Sequence, residues 1–181
     1  MACALDEDAT TQPVAPPAVG ACEIGCFALG FRTVQTFLPY PDMMRSAHSL
    51  DDRRLGKQRV EALQVLRALT WQGYGWQHHP AVKMWRGFEV AIAAYGLIIC
   101  SAWVERGRAD TCAATITLDL RKAGFGAPVD ADELVDEQLP PWWGNPRLHG
   151  SHQSSLVRKD PDFYGPKFPD ADVDLPYWWP V

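Results

Sequence analysis

Residues 51–69 carry apolar side chains at helical spacing, and this pattern constrains the fold more than any other feature of the chain. At 3.6 residues per turn the apolar positions form one stripe, which consists of Leu55, Ala62, Leu66 and Leu69, with Leu63 beside it. The helix is predicted to run from about Ser46 or Ser49 to Leu69, and Ser49 suits the N-cap because Asp51 and Asp52 then fall in the first turn. Gly73 and Gly75 end the pattern. The sequence therefore predicts an amphipathic helix that buries one side.

Two further helices are predicted downstream. Residues 79–107 begin with proline at the first helical position and continue as a mostly apolar run. The longest apolar stretch, residues 90–104, is too short to span a bilayer and indicates a buried helix. A third helix is predicted at about residues 109–122, with Gly124 as its C-terminal signal.

The remaining sequence predicts loops and short helices. Residues 125–147 are loop-like with a short helix at 131–139, and residues 151–159 form another short helix. Residues 160–181 are rich in proline and aromatic side chains, which favours a C-terminal wrap. No segment shows a strand pattern. We therefore predict an all-α fold, a compact bundle of about three main helices with long loops and this aromatic wrap.

Residues 1–33 differ from the rest in composition. They are rich in Ala, Pro and Thr, show no helical or strand period, and hold four acidic residues against one basic residue, Arg32. We expect this segment either to be disordered or to lie outside the functional protein. In the second case translation begins at Val34, since valine codons serve as starts in GC-rich genes. The predicted single helical domain is residues 34–181.

A second stripe on the first helix carries charge. Its members, spaced i, i+3, i+7 and i+10, are Arg54, Lys57, Glu61 and Gln64. Between residues 45 and 67 there are six basic and three acidic residues, within a chain of net charge -5. Arg59 points toward the apolar side and requires a buried partner. The stripe is either a solvated face, with a Lys57–Glu61 pair contributing about 0.3 kcal/mol, or a phosphate-binding surface around one carboxylate.

Further candidate binding residues lie near the C-terminus. His152, Arg158 and Lys159 suit a surface that contacts phosphates, and Tyr164 suits stacking on a base. The alternative for the aromatic residues is packing of the wrap. His149 and His152 are spaced i, i+3, but no carboxylate completes a known zinc spacing. We expect neither a metal ion nor another cofactor.

Three sequence blocks carry a resemblance to a known family. They are LDDRRLGKQRVEALQVL, HPAVKMWRGFEVAIAAYGLIICSAWVERG and HGSHQSSLVRKDPDFYGPKF. With them, the chain resembles the pyrimidine-dimer DNA glycosylase family typified by the phage endonuclease V, and in particular a bacterial branch that opens with a QTFLPY-like segment. The resemblance spans residues 34 to about 181.

The resemblance implies a compact, all-helical enzyme that flips a nucleotide, attacks the sugar C1′ with its N-terminal α-amine and cleaves the strand through a Schiff base. The assisting glutamate falls on Glu61, and Arg54 falls where the phage enzyme has a DNA-contacting histidine. Two arginines of that enzyme are replaced here, by Val60 and Gln64. The predicted DNA-binding residues are Arg54, Lys57, Arg59, His152, Arg158, Lys159 and Tyr164.

The position of the first amine decides whether this chemistry is available. If the chain starts at Val34, the α-amine of Val34 is the nucleophile, because the large side chain of Gln35 disfavours removal of residue 34. Val34 and Gln35 are therefore catalytic candidates beside Glu61. If the chain starts at Met1, the amine lies on a tether of 33 residues, and a lysine such as Lys57 would have to replace it.

The predicted function is thus a DNA repair glycosylase and AP lyase that acts on damaged double-stranded DNA, including pyrimidine dimers. We expect a monomer without a membrane anchor. The odd number of cysteines and the lack of a secretory signal predict a cytoplasmic, nucleoid-associated protein. The alternatives are a non-catalytic nucleic-acid-binding module, a helical protein-interaction domain and a histidine-dependent metal hydrolase.

Overall fold

The computed structural model describes residues 34–181, and these residues form an all-α fold, as predicted. The prediction for residues 1–33 lies outside the described part of the chain. Two short 3-10 turns, Ala131–Glu133 and Asp136–Gln138, follow the fifth helix. The α-helices are α1 (Met43–Ser49), α2 (Asp52–Thr70), α3 (Pro80–Lys83), α4 (Glu89–Glu105), α5 (Cys112–Lys122), α6 (Pro146–Lys159) and α7 (Pro161–Tyr164).

The first predicted helix is divided at Leu50, which is extended and buried. Asp51, not Ser49, caps α2, because its carboxylate accepts a hydrogen bond from the N–H of Arg54. The Ser49 hydroxyl instead donates to the backbone oxygen of Ser46 at 2.7 Å. Because of this break α1 and α2 are separate helices, and the charged stripe that contains Glu61 lies wholly on α2.

The other helix boundaries also differ from the prediction for local reasons. Gly87, with φ of 85°, separates α3 from α4 in a conformation that favours glycine. Helix α5 begins later than predicted, because the Asp110 carboxylate accepts the N–H of Ala113 at 2.8 Å. Helix α6 begins earlier than predicted, because Asn145 caps it ahead of a proline in its first turn.

Helices α2, α4 and α5 pack closely around one core. A Cβ at Gly96 of α4 would lie 2.8 Å from Ile116 Cδ1 of α5 and 3.1 Å from Ala62 Cβ of α2. Glycine at this position therefore allows the three helices to approach. Trp85 is fully buried and packs edge-on against Trp142, with ring centroids 4.9 Å apart.

Residues 34–39, which we call the entry segment, are mostly buried although they form no regular secondary structure. Side chains from several elements hydrogen-bond to the backbone of this segment. From the C-terminal wrap, the Tyr177 hydroxyl donates to the backbone oxygen of Thr36 at 2.7 Å. From α6, Gln153 donates to the backbone oxygen of Pro39 at 2.7 Å. The entry segment is thus fixed against both α6 and the wrap.

Candidate active site around Glu61

Glu61 lines an open pocket of about 320 Å³. The pocket is built by the entry segment, by one edge of α2 and by the C-terminal end of α6. Its lining residues are Gln35, Phe37, Arg53, Arg54, Lys57, Gln58, Glu61 and Lys159. Four of these side chains are cationic and one is a carboxylate, so the pocket suits a phosphate-bearing ligand held beside a single acid.

The Glu61 carboxyl is only 4% exposed and has three polar neighbours. Lys57 Nζ lies 3.0 Å from Oε1, Gln58 donates to Oε2, and the backbone of Gln35 favours the charged form of the carboxyl. Burial raises the pKa of Glu61 to about 7, although these donors and Lys159 oppose the rise. At neutral pH this carboxyl is therefore able both to accept and to release a proton.

Gln58 joins the entry segment to Glu61. Its side chain is buried; Nε2 donates to the backbone oxygen of Gln35 at 2.9 Å and to the Glu61 carboxylate. Its Oε1 accepts from the N–H of Phe37 at 3.0 Å and from the Tyr95 hydroxyl at 2.7 Å. One side chain thus fixes the distance between the start of the entry segment and the acid.

Two histidines of α6 hold the other end of the entry segment. His149 Nδ1 donates to the backbone oxygen of Leu38 at 2.8 Å, and His152 Nδ1 accepts from the N–H of Leu38 at 2.8 Å. Burial lowers the pKa of His152 to about 3, so this ring stays neutral. The His152 ring also stacks on Tyr177, with centroids 4.4 Å apart. Both histidines therefore act as supports of the segment that reaches Glu61.

Lys159 is brought into the pocket from the end of α6, as its predicted role requires. Burial, together with the positive charges of Arg54 and Lys57, lowers the pKa of the Lys159 ammonium. Among the described residues neither Lys159 nor Arg53 forms an ion pair. An anionic ligand entering the pocket would meet both charges.

The structure differs from the expectation of DNA contact for His152 and Tyr164. Both side chains are fully buried, so neither reaches a ligand at the surface. The Tyr164 hydroxyl donates to the Asp51 carboxylate at 2.6 Å and accepts the N–H of Asp51 at 2.9 Å. Tyr164 therefore supports the N-terminal end of α2, where Arg54 packs over its ring at 5.2 Å.

Arg59 and Arg158 lie outside the pocket lining. Arg59 donates to Asp110 at 2.5 Å, which is the buried partner that its position on the helix requires. Arg158 donates to the backbone oxygens of Val173 and Leu175 at 2.5 and 2.8 Å and so holds the wrap. Arg54 does line the pocket, but it is ion-paired with Asp51.

The sequence reasoning missed Gln58, Tyr95 and Phe37. The signal for Gln58 was a polar residue on the buried side of α2, three positions before Glu61. No sequence signal placed Tyr95, on α4, next to the entry segment. A larger and mostly apolar pocket of about 490 Å³, beside α1 and α4, is lined by none of the predicted site residues.

Within residues 34–181 no group of three or more His, Cys, Asp or Glu side chains is placed to hold a metal ion. Over the same residues no helix is long and apolar enough to cross a membrane.

A family model described as pyrimidine dimer DNA glycosylase matches residues 34–116. The match begins at the entry segment and includes α1 to α4 and Glu61, whereas Lys159 lies beyond it. The predicted family resemblance is confirmed over these residues, while the bacterial branch stays a prediction. Comparison with curated proteins and with solved structures yields no significant match.

Proposed function

We propose that this chain, whose residues 34–116 are similar to the pyrimidine dimer DNA glycosylase family, is a DNA glycosylase and AP lyase acting on damaged double-stranded DNA, including pyrimidine dimers. The bridge that Gln58 makes from the Gln35 backbone oxygen, at 2.9 Å, to the Glu61 carboxylate in a cationic pocket carries the proposal. An acid able to exchange a proton near neutral pH and four cations suited to phosphates line one pocket, beside the start of the entry segment.

The proposed nucleophile is the α-amine of a polypeptide that begins at the entry segment. In such a polypeptide the amine belongs to Val34, or to Gln35 if residue 34 is removed. Because Gln58 joins the backbone of Gln35 to the Glu61 carboxylate, either amine starts near the carboxyl. An α-amine with a pKa of about 8 is partly neutral at physiological pH and can attack carbon. In a polypeptide that extends upstream, Lys57 or Lys159 would have to supply the amine.

The proposed reaction has two stages. The amine nitrogen donates its electron pair to C1′ of the flipped nucleotide, and the bond from C1′ to the base breaks, so that the base leaves and takes up a proton. Loss of a proton from nitrogen and opening of the sugar ring give the Schiff base. Removal of a proton from C2′ then expels the 3′-phosphate, which cleaves the strand. The proposed role of Glu61 is to stabilise positive charge on the sugar as a carboxylate and to carry protons between these steps.

The cations of the pocket have the proposed role of holding the phosphates on either side of the flipped nucleotide. Arg53, Lys57 and Lys159 line the pocket from two elements. Their charge explains how a chain of net charge -5 can bind DNA. Affinity that depends on such contacts falls steeply with salt.

The test is borohydride trapping on a duplex with one thymine dimer, using both the full chain and a protein that starts at residue 34. We expect a covalent adduct that maps to the first residue of the shorter protein. Glu61→Gln serves as the control, since it should bind the duplex but trap far less. An adduct on Lys57 or Lys159 would support the lyase activity but would show that the α-amine is not the nucleophile. No adduct on either this duplex or an abasic duplex would overturn the proposal.

A further inference from the structure

One edge of α2 carries side chains that are exposed or half-buried along the whole helix. Its side chains are spaced i, i+4, i+7, i+11, i+14 and i+18, and they are Arg53, Lys57, Val60, Gln64, Arg67 and Trp71. The edge begins at the Glu61 pocket, which Arg53 and Lys57 line. It contains no carboxylate. We call this row the α2 edge.

The α2 edge ends in an aromatic loop, residues 71–79, whose two tryptophans are partly exposed. Trp71 is 40% and Trp76 is 41% exposed. Arg67 stacks on Trp71, with its guanidinium carbon 4.5 Å from the ring centroid. The loop has internal order, because the Gln77 side chain donates to the backbone oxygen of Trp71 at 2.9 Å and Arg86 donates to that of Gln77 at 3.2 Å.

Trp76 is the unusual residue of this loop. Its φ is 72°, and it is the one described residue other than glycine with a positive φ. A bulky side chain rarely adopts this conformation, because it strains the backbone. Backbone geometry alone would favour glycine at this position. The presence of tryptophan therefore indicates a role for its ring. The ring packs edge-on against His79, at 5.4 Å between centroids, and the residue is partly exposed.

Charge points to the kind of partner this surface fits. No Asp or Glu occurs between Glu61 and Glu89, whereas the exposed Lys83 and Arg86 lie in that interval. Arg67 also lies there, but its charge is balanced by an ion pair with Asp119 of α5 at 2.7 Å. A cationic surface with exposed aromatic rings matches a polyanion that carries flat apolar groups, as nucleic acids do. The surface is continuous with the proposed lesion pocket, so the same DNA molecule can occupy both.

We propose that the α2 edge and the aromatic loop are a second DNA contact, which holds the duplex flank on one side of the lesion. This inference rests on the proposed function. At 1.5 Å per residue, Trp71 lies about 21 Å along α2 from Lys57. At 3.4 Å per base pair this corresponds to about six base pairs of duplex. The loop therefore contacts the flank and not the damaged nucleotide.

The test compares binding of three dimer-containing duplexes by Trp76→Gly and Trp71→Ala. One duplex has twelve base pairs on both sides of the lesion, and the other two are cut to four base pairs on one side or the other. We expect each variant to bind the long duplex about tenfold more weakly than the parent, which is about 1.4 kcal/mol. On one of the shortened duplexes, variant and parent should bind equally. Phe125→Ala is the matched control, since Phe125 is 43% exposed and lies beyond α5.

Trp76→Gly also separates function from folding. Because glycine relieves the positive φ, this variant should melt at or above the temperature of the parent while it loses affinity. The inference would be overturned if a variant lost the same affinity on all three duplexes or lost none on any of them. It would also be overturned if Trp76 mediated self-association in place of DNA binding. Trapping by the parent protein is measured in parallel. If the parent protein forms the borohydride adduct but the affinity loss of the variants does not depend on flank length, the proposed flank contact is wrong and the proposed function stands.

Discussion

Lys57 Nζ lies 3.0 Å from the Glu61 carboxylate, yet burial still raises the pKa of Glu61 to about 7. The lysine is largely exposed, with 63% of its side chain accessible, whereas the carboxyl is buried. Solvent therefore weakens the attraction from Lys57 while the carboxyl bears the full cost of leaving water. This balance sets the protonation state of the acid in the pH range where a DNA glycosylase would work.

The rate of Schiff-base trapping should rise between about pH 6 and pH 8, as Glu61 loses its proton. Lys57 favours the charged form of Glu61, so Lys57→Gln should raise the pKa of Glu61 and move the midpoint to higher pH. The measurement is the single-turnover trapping rate on an abasic duplex at saturating protein. The α-amine titrates in both proteins alike, so the difference between their midpoints reports on Glu61. A midpoint that stays fixed or moves to lower pH would contradict this account.

Glu61→Gln should stabilise the fold above neutral pH. The folded pKa of about 7 exceeds the ordinary value of 4.5, so the native state binds more protons than the unfolded state between these values. Stability therefore falls as pH rises from 4.5 to 7, and an amide does not incur this loss. The expected gain in the free energy of unfolding is at most about 3 kcal/mol at pH 8 and close to zero at pH 4. Urea unfolding at both pH values checks it, and a loss of stability at pH 8 would refute it.

Gln58→Met should slow trapping by at least about 100-fold while DNA affinity changes little. The variant removes the hydrogen bonds that join Gln35, Phe37 and Tyr95 to Glu61, and a misplacement of about 1 Å is enough for such a loss. Leaving these buried groups unpaired should also cost about 1–3 kcal/mol of stability. The measurements are the trapping rate and the dissociation constant for a dimer duplex.

Gln153→Met is the matched control, because Gln153 also bonds the entry segment, at Pro39, but lines no part of the pocket. It should lose much less trapping activity than Gln58→Met. Equal losses would show that both glutamines merely hold the segment, without a separate role for the contact of Gln58 with Glu61.

The sequence was sufficient to predict the helical class, while the role of Glu61 as the acid stays a prediction. The class follows from periodicity, which on α2 fixes the buried side and leaves Lys57 and Glu61 on one charged stripe. The family resemblance, and not periodicity, singled out Glu61. The network beneath Glu61 was not predictable, because Gln58 is three positions away while Tyr95 and His152 come from distant helices. Spacing along a chain does not encode such tertiary neighbours.

The predicted roles of Tyr164 and His152 show the same limit. A polar aromatic residue near basic residues is compatible both with stacking on a base and with packing under a helix cap. The choice depends on Asp51, which accepts the Tyr164 hydroxyl from 113 positions away, and on Leu38, which both histidines bind. Proximity in sequence to Arg158 and Lys159 favoured DNA contact for both residues, whereas both side chains are buried.

Gly96→Ala should destabilise the protein, whereas Gly150→Ala should stabilise it. Alanine favours a helix over glycine by about 1 kcal/mol at either site. A Cβ at Gly150 would only reach Leu175 Cδ2 at 3.6 Å, an ordinary contact. A Cβ at Gly96 would lie 3.1 Å from the Ala62 Cβ, which cannot rotate away, so α2 itself has to shift.

Overpacking of this kind costs about 1–3 kcal/mol and should exceed the gain in helix propensity. Ala62 follows Glu61 directly, so the shift should also lower the trapping rate of Gly96→Ala, while Gly150→Ala keeps the parent rate. Thermal unfolding and trapping of the two variants side by side are the measurements. A stabilised Gly96→Ala with unchanged trapping would mean that α2 and α4 have room to separate without disturbing the acid.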